Sequence, residues 1–242
     1  MDHTSPVGLS GQVALMRRLE TIANNVANAG TAGYRAEVVS FSTIVSATQP
    51  FDTSFVRKGT PHVDTRSGDF VNTGNPLDVA VNGSAFLAVQ TPQGLVYTRD
   101  GRMQMLPSGD LVSLQGHAIL DPSGAPISLD PAGGEPVIGR DGAIRQAGRV
   151  LGSIGLFDVD FSKGYSRYEN SGFMPVAAPV PVEDFTANGL LQGFTEGSNV
   201  NPISEITRLI SVQRIFEAVN SGLEQRDGAL RDTIQALGAR SA

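Results

Sequence analysis

The chain contains no cysteine and no tryptophan. Without cysteine there are no disulfides, thiolate metal sites or cysteine nucleophiles. With no thiol, no wrong disulfide can form outside the cytoplasm, which is compatible with export. Aromatic residues are only 6% of the chain, so its core must be aliphatic. Charged residues are 17%, low for a globular domain, and acidic ones outnumber basic ones 24 to 18. A net charge of −6 with no basic cluster argues against a nucleic-acid partner. The apolar runs are far too short to span a bilayer, so no direct membrane insertion is expected. The opening MDHTSPVGLSGQ has neither a positive start nor an apolar stretch, so a cleaved signal peptide is not expected.

Catalytic and metal motifs are also missing. No HExxH, GxSxG, Walker loop or GxGxxG occurs. The histidines are His3, His62 and His117, and none has a second ligand at metal spacing. Asp158, Asp160, Ser162 and Glu169 match four positions of a calcium-binding loop. Lys163 stands where that loop needs glycine, and strand-like segments flank it, so the reading is an acidic turn. Asn82-Gly-Ser84 fits a glycosylation sequon, but Asn-Gly is also the strongest hairpin turn, and that reading is preferred. No cofactor, metal or catalytic residue is expected.

What the 242 residues do contain is helical periodicity at both ends. From about Ser5 to Asn28, apolar residues fall at Leu9, Val13, Met16, Leu19, Ala23 and Val26, with Leu15 and Ile22 alongside. Gly30 and Gly33 end that pattern. Near the other end Asn201 suits an N-cap, Pro202 the first helical position and Glu205 the first turn. Ile203, Ile206, Leu209, Ile210, Val212, Ile215, Phe216, Val219 and Leu223 follow at helical spacing, and the pattern runs on to Leu237. Asp227 and Arg231 make a favourable i,i+4 pair, while Gly222 and Gly228 weaken the helix locally.

The middle reads as β structure. Segments at 78–81, 85–89, 95–98, 102–105, 111–114 and 117–120 are brief strand candidates. Asn82-Gly83, Pro92-Gln-Gly94, Asp100-Gly101, Pro107-Ser-Gly-Asp110, Gln115-Gly116 and Asp121-Pro-Ser-Gly124 separate them as turns. Further hairpins are expected around Asp141-Gly142 and Ala147-Gly148, and Val150–Val159 is the longest strand candidate. Residues 34–45 suit an extended arm with a helical tail, and 48–73 show no period.

The fold class is therefore α+β: N- and C-terminal helices paired as a coiled coil, with a central antiparallel, hairpin-rich, all-β domain. Its expected divisions are an N-terminal helix over 1–33, an arm or linker over 34–75, a β domain over 76–194 and a C-terminal helix over 195–242. Long apolar stripes at both ends suit an assembly subunit. Asn24, Asn25 and Asn28 would cap the first helix or line its seam.

Ala23-Asn-Asn-Val-Ala-Asn-Ala-Gly-Thr-Ala-Gly-Tyr-Arg35 resembles the N-terminal signature of the flagellar rod and hook protein family. Residues 197–217, GSNVNPISEITRLISVQRIFE, resemble its C-terminal signature. Thr73-Gly-Asn-Pro-Leu-Asp-Val-Ala-Val-Asn-Gly83 and Tyr97-Thr-Arg-Asp-Gly-Arg102 resemble its central core. Gly30 stands where a polar residue is common, and Tyr34 where Phe is common. The length suits a proximal rod member, since distal rod proteins are somewhat longer and hook proteins much longer.

The resemblance implies a structural, non-enzymatic subunit of the basal-body rod. It would leave through the flagellar export apparatus and assemble with other rod proteins in a helical periplasmic array. The terminal helices would line the inner tube, with the β domain outside. The expected assembly residues are Leu9, Val13, Met16, Leu19, Ile22, Asn24, Asn25, Val26 and Asn28 at one end. At the other they are Asn199, Asn201, Ile206, Leu209, Ile210, Gln213, Phe216, Val219 and Leu223. The rival readings are another rod protein of the same family, from the distal rod, and a carbohydrate-active β-domain enzyme, which would need carboxylates such as Asp158 and Glu169 to converge in a cleft.

Overall fold

The computed structural model describes residues 4–40, 43–46, 53–56 and 59–238. Helix α1 spans Thr4–Ala27. Five strands follow: β1 Glu37–Ser40, β2 Thr43–Ser46, β3 Thr53–Val56, β4 Thr60–Val63 and β5 Phe70–Asn72. The central strands are β6 Val79–Asn82, β7 Phe86–Thr91, β8 Gly94–Thr98, β9 Met103–Met105, β10 Leu111–Ser113 and β11 Ala118–Ile119. Then come β12 Val137–Ile138, β13 Ala143–Gln146, β14 Arg149–Ser153, β15 Leu156–Asp158, β16 Tyr165–Tyr168, β17 Gly172–Pro175, β18 Val180–Pro181, β19 Gly189–Gln192 and β20 Phe194–Glu196. Helix α2 closes the described chain at Pro202–Gly238. No described helix is long and apolar enough to cross a membrane.

The chain divides into two compact units. One comprises 1–26, 37–62 and 201–242, and the other 27–36 and 63–200. The first unit holds both helices, the β2–β3 hairpin and the pairing of β1 with β4. Residues 43–46 are strand, not the helical tail expected of the arm. The run Thr-Ile-Val-Ser is rich in β-branched side chains, which lose rotamer freedom in a helix and pair well across a ladder. Asn201 caps α2 as expected: its Oδ1 accepts the Ser204 N–H at 3.1 Å.

The second unit is built on one antiparallel sheet, ordered β16-β17-β8-β7-β11-β10-β9, with β15 on β7 and β18 on β15. Strand β7 sits inside it and is buried on both faces. Leu87 and Val89 point into an aliphatic core with Val96, Leu111, Ile119, Ile144 and Ile154. Phe86 and Ala88 point the other way, into a second core with Tyr97, Leu120, Phe157 and Phe173. That core is aromatic where an aliphatic one was expected, because several of the chain's few rings are gathered on this face. Period-2 alternation therefore serves two cores, and the strand reads as an unbroken apolar run. A three-stranded sheet, β12-β13-β14, contributes Ile138 and Ile144 to the aliphatic core.

Two turn assignments need correction. Asn82-Gly83 and Asp100-Gly101 do not close hairpins. β6 pairs with β19, and β8 pairs with β7 and β17, so both turns carry the chain out of one pairing into another. At the first, Asn188 Oδ1 accepts the N–H groups of Ser84 and Ala85, replacing a missing ladder partner. The expected 150–159 strand is also broken into β14 and β15. Ile154 N–H donates to Gly142 O and Gly155 N–H to Leu120 O, so the chain changes sheets there. The other turns do close antiparallel hairpins, including 92–93 between β7 and β8 and 147–148 between β13 and β14.

Candidate functional site

The exposure pattern along both helices separates two faces that the sequence merged. On α2, Glu205 and Val212 are buried, and Leu209, Phe216 and Val219 are half-buried. Their steps of four, three, four and three make one seam. Ile203, Ile206 and Ile210 stand 77%, 44% and 46% exposed. At about 100° per residue they form a second apolar row, rotated by roughly 120° from the first. On α1, Leu15, Leu19, Ile22 and Val26 form the inward row, with Ile22 buried. Val13 and Met16, expected on the same stripe as Leu19, are instead 49% and 55% exposed. Gln213, Asn24 and Asn201 are exposed, while Asn28 and Asn199 are half-buried. The side chains of Leu9 and Leu223 lie outside the described residues. Ile203 and Ile215 belong with the outward-facing apolar residues, although they were not among the expected assembly residues.

Polar contacts accompany the inward rows. Gln12 Nε2 donates to Asn220 Oδ1 at 2.6 Å. Asn25 Nδ2 lies 3.4 Å from Glu205 Oε2, and the Arg208 guanidinium holds the other Glu205 oxygen at 2.5 Å. The motif asparagines act chiefly on backbone. Asn25 is buried; its Oδ1 accepts the Glu37 N–H at 3.0 Å and its Nδ2 donates to Glu37 O at 2.9 Å. In the β unit Asn199 does the same for two extended segments outside the strands: its Oδ1 accepts the Ala36 N–H at 2.7 Å, and its Nδ2 donates to Asp64 O and Arg66 O. An amide carries both a donor and an acceptor, so it can replace a peptide group in a ladder.

A buried ionic cluster escaped the sequence reading. Glu196 on β20 accepts from Arg35 Nη2 at 2.5 Å and from Arg99 Nε at 2.8 Å. All three side chains are almost wholly buried. The signal was present but scattered: Arg35 ends the N-terminal motif, Arg99 lies in the central one, and Glu196 immediately precedes the C-terminal one.

The chemistry weighed from sequence does not assemble. His3 lies outside the described residues and His62 is exposed on β4. His117 does acquire an acidic neighbour, with Nε2 3.5 Å from Glu169 Oε1, in a polar cleft of about 420 Å³. Asp158 does not line that cleft, so the carboxylate pair of the enzyme reading is absent from it. Asp160 caps a 3-10 turn, with Oδ1 accepting the Ser162 N–H, as a turn carboxylate does. No cluster of three or more metal-binding side chains occurs among the described residues.

Comparison with known proteins bears directly on these motifs. Residues 7–35 match the family "Flagella basal body rod protein". Residues 80–146 match "Flagellar hook protein FlgE/F/G D1 domain" and 191–236 match "Flagellar basal body rod FlgEFG protein C-terminal". The chain is 47% identical to the flagellar basal-body rod protein FlgF of Mesorhizobium japonicum over the full length of both. It is 43% identical to that of Rhizobium meliloti, covering 96% of each chain. It is 28% identical to the FlgG rod protein of Bacillus subtilis, covering 95% of this chain and 97% of that one. Full-length identity at this level, with the three motifs matched in order, shows that the chain belongs to the FlgF family of flagellar basal-body rod proteins.

Proposed function

We propose that this chain, a structural subunit of the flagellar basal-body rod, assembles through two distinct faces of its terminal helices. The inward rows, Leu15-Leu19-Ile22-Val26 and Leu209-Val212-Phe216-Val219, form an intramolecular antiparallel coiled coil. Gln12 meeting Asn220 while Asn25 meets Glu205 supports that direction. Knob spacing of three and four supports a packed seam. The outward row, with Val13, Met16, Ile203, Ile206 and Ile210, is buried by neighbouring rod proteins.

The observation that carries this reading is the exposure of that outward row. Apolar side chains aligned on one helix face, and open to water in the single chain, mark an interaction surface. Covering each isoleucine or valine would stabilise the assembly by up to about 2 kcal/mol. Contacts of this kind are heterologous, joining different patches on successive subunits, and so build a helical array instead of a closed ring. Asn24 and Gln213 on the helices, and Asn28 and Asn201 just beyond their ends, would supply the polar contacts that fix register.

Proteins of this family are rod components, not enzymes, and the partners are other flagellar basal-body proteins. Passage through the flagellar export apparatus and a periplasmic position in the proximal rod belong to the same proposal and rest on the family. The expected divisions at 1–33, 34–75, 76–194 and 195–242 are retained as functional segments in that proposal.

The reading is tested by complementation. A strain lacking this chain should swim when the whole chain is restored and should not swim when residues 1–28 are deleted. Full swimming by the deleted form would overturn it.

A further inference from the structure

The N-terminal and central sequence motifs meet at one buried carboxylate, Glu196, immediately before the C-terminal motif. Arg99 is anchored to the turn between β6 and β7: its Nη1 donates to Ala85 O and its Nη2 to Gly83 O at 2.8 Å. Its Nε donates to Glu196 Oε2. Glu196 Oε1 accepts from Arg35 and from the Gly68 N–H at 3.0 Å, and Glu196 O accepts the Gly33 N–H. One residue therefore ties Gly33 through its backbone, and Arg35, Gly68 and Arg99 through its side chain, to β20.

This is a poor way to gain stability. Two guanidiniums share one carboxylate, leaving a buried excess of positive charge. Desolvation pushes the Arg99 guanidinium down to about 10, against the pull of Glu196, with Arg35 pushing the same way as burial. Arg35 Nε and Nη1 are buried and find no hydrogen-bond partner among the described residues. Apolar replacements in such clusters are often neutral or stabilising, whereas removing one partner is not. What a buried charge does well is to specify register. The ladder of β20 on β5 is only three residues long, with Glu196 opposite Phe70. So short a pair specifies its alignment weakly, and a one-residue slip would turn Glu196 to the opposite face. It would also displace by one residue the chain leading to Asn201 and α2.

We propose that Arg35, Arg99 and Glu196 are positioning residues, which fix the register of the two segments joining the helices to the β unit for rod assembly. The proposal rests on the rod-subunit reading. Arg35→Met tests it, because Arg99 and Glu196 then remain as a balanced pair and the unsatisfied nitrogens are gone. The variant chain is purified for thermal unfolding and also expressed in the strain lacking this protein. Its Tm should stay within about 3 °C of the original, while swimming is lost. A second variant, Arg35→Met/Arg99→Met/Glu196→Leu, should also fold and fail to support swimming.

Normal swimming by either folded variant overturns the proposal. A large loss of Tm or failure to fold in Arg35→Met overturns it as well, since Arg35 would then be holding the fold. The unaltered chain is the control: if it does not restore swimming, the rod-subunit reading itself is what has failed.

Discussion

The amide of Asn25 pairs with the backbone of Glu37 as a neighbouring strand would, giving one hydrogen bond and accepting another at 2.9 and 3.0 Å. The residue belongs to a helix, so α1 and β1 are joined without any strand between them. Asn25→Ala would remove both of these hydrogen bonds from the half-buried Glu37 backbone. The expected loss is about 1–3 kcal/mol, measured by thermal unfolding of the purified chain. An unchanged Tm would show that water serves these groups equally well.

Asn199 makes a harsher version of the same test. Its Nδ2 donates to two carbonyls, Asp64 O and Arg66 O, while its Oδ1 accepts from Ala36. Asn199→Asp keeps the acceptor but sets a carboxylate oxygen against two carbonyl oxygens. The aspartate variant should therefore unfold at a lower temperature than Asn199→Ala at neutral pH. The reverse order would contradict the assigned amide orientation.

The two glycines ending the N-terminal motif should respond oppositely. Gly33 has φ of +68°, and an added Cβ would lie 2.3 Å from the Asp100 nitrogen. Gly30 has nothing within 4 Å of that position. Gly33→Ala should destabilise by about 1–3 kcal/mol or more, and Gly30→Ala should be neutral or gain up to about 1 kcal/mol. Urea midpoints of the two variants decide this; equal midpoints would refute it.

Much of this architecture was legible, for identifiable reasons. Both helices announced themselves by period and by caps such as Asn201, and local turn chemistry marked the hairpins at 92–93 and 147–148. Periodicity could not say which side of each helix faces inward. A stripe broad enough to hold both Leu19 and Met16 reads as one face until the exposure of each residue is known. Asn82-Gly83 misled because a turn's local preference does not determine which strands it joins. Glu196 was invisible for a similar reason: a lone glutamate in a short strand gains meaning only when Arg35 and Arg99, distant in sequence, arrive beside it.

Acid should weaken the β unit through particular carboxylates. The side-chain hydrogen bond from Arg66 is the main cause holding the Asp64 carboxyl below its ordinary value of 3.8, with partial burial opposing it. A depressed folded pKa stabilises the fold above the unfolded value and loses that contribution as pH falls through the folded one. The loss should therefore begin below about pH 4 and be small, since Arg66 is exposed. Following the Asp64 carboxyl by NMR, Arg66→Ala should move its midpoint upward toward 3.8. No movement would remove Arg66 as the cause.

The central claim is that the outward row on α2 serves neighbouring subunits and contributes little within the chain. Ile206→Glu/Ile210→Glu places charge on that row while leaving Leu209, Val212 and Phe216 in the seam. Basal bodies imaged from a strain carrying only this variant provide the direct measurement, alongside Tm of the purified protein. A Tm near that of the original chain with an axial structure that stops short of a complete rod is the expected result. Complete rods in a swimming strain would contradict the account.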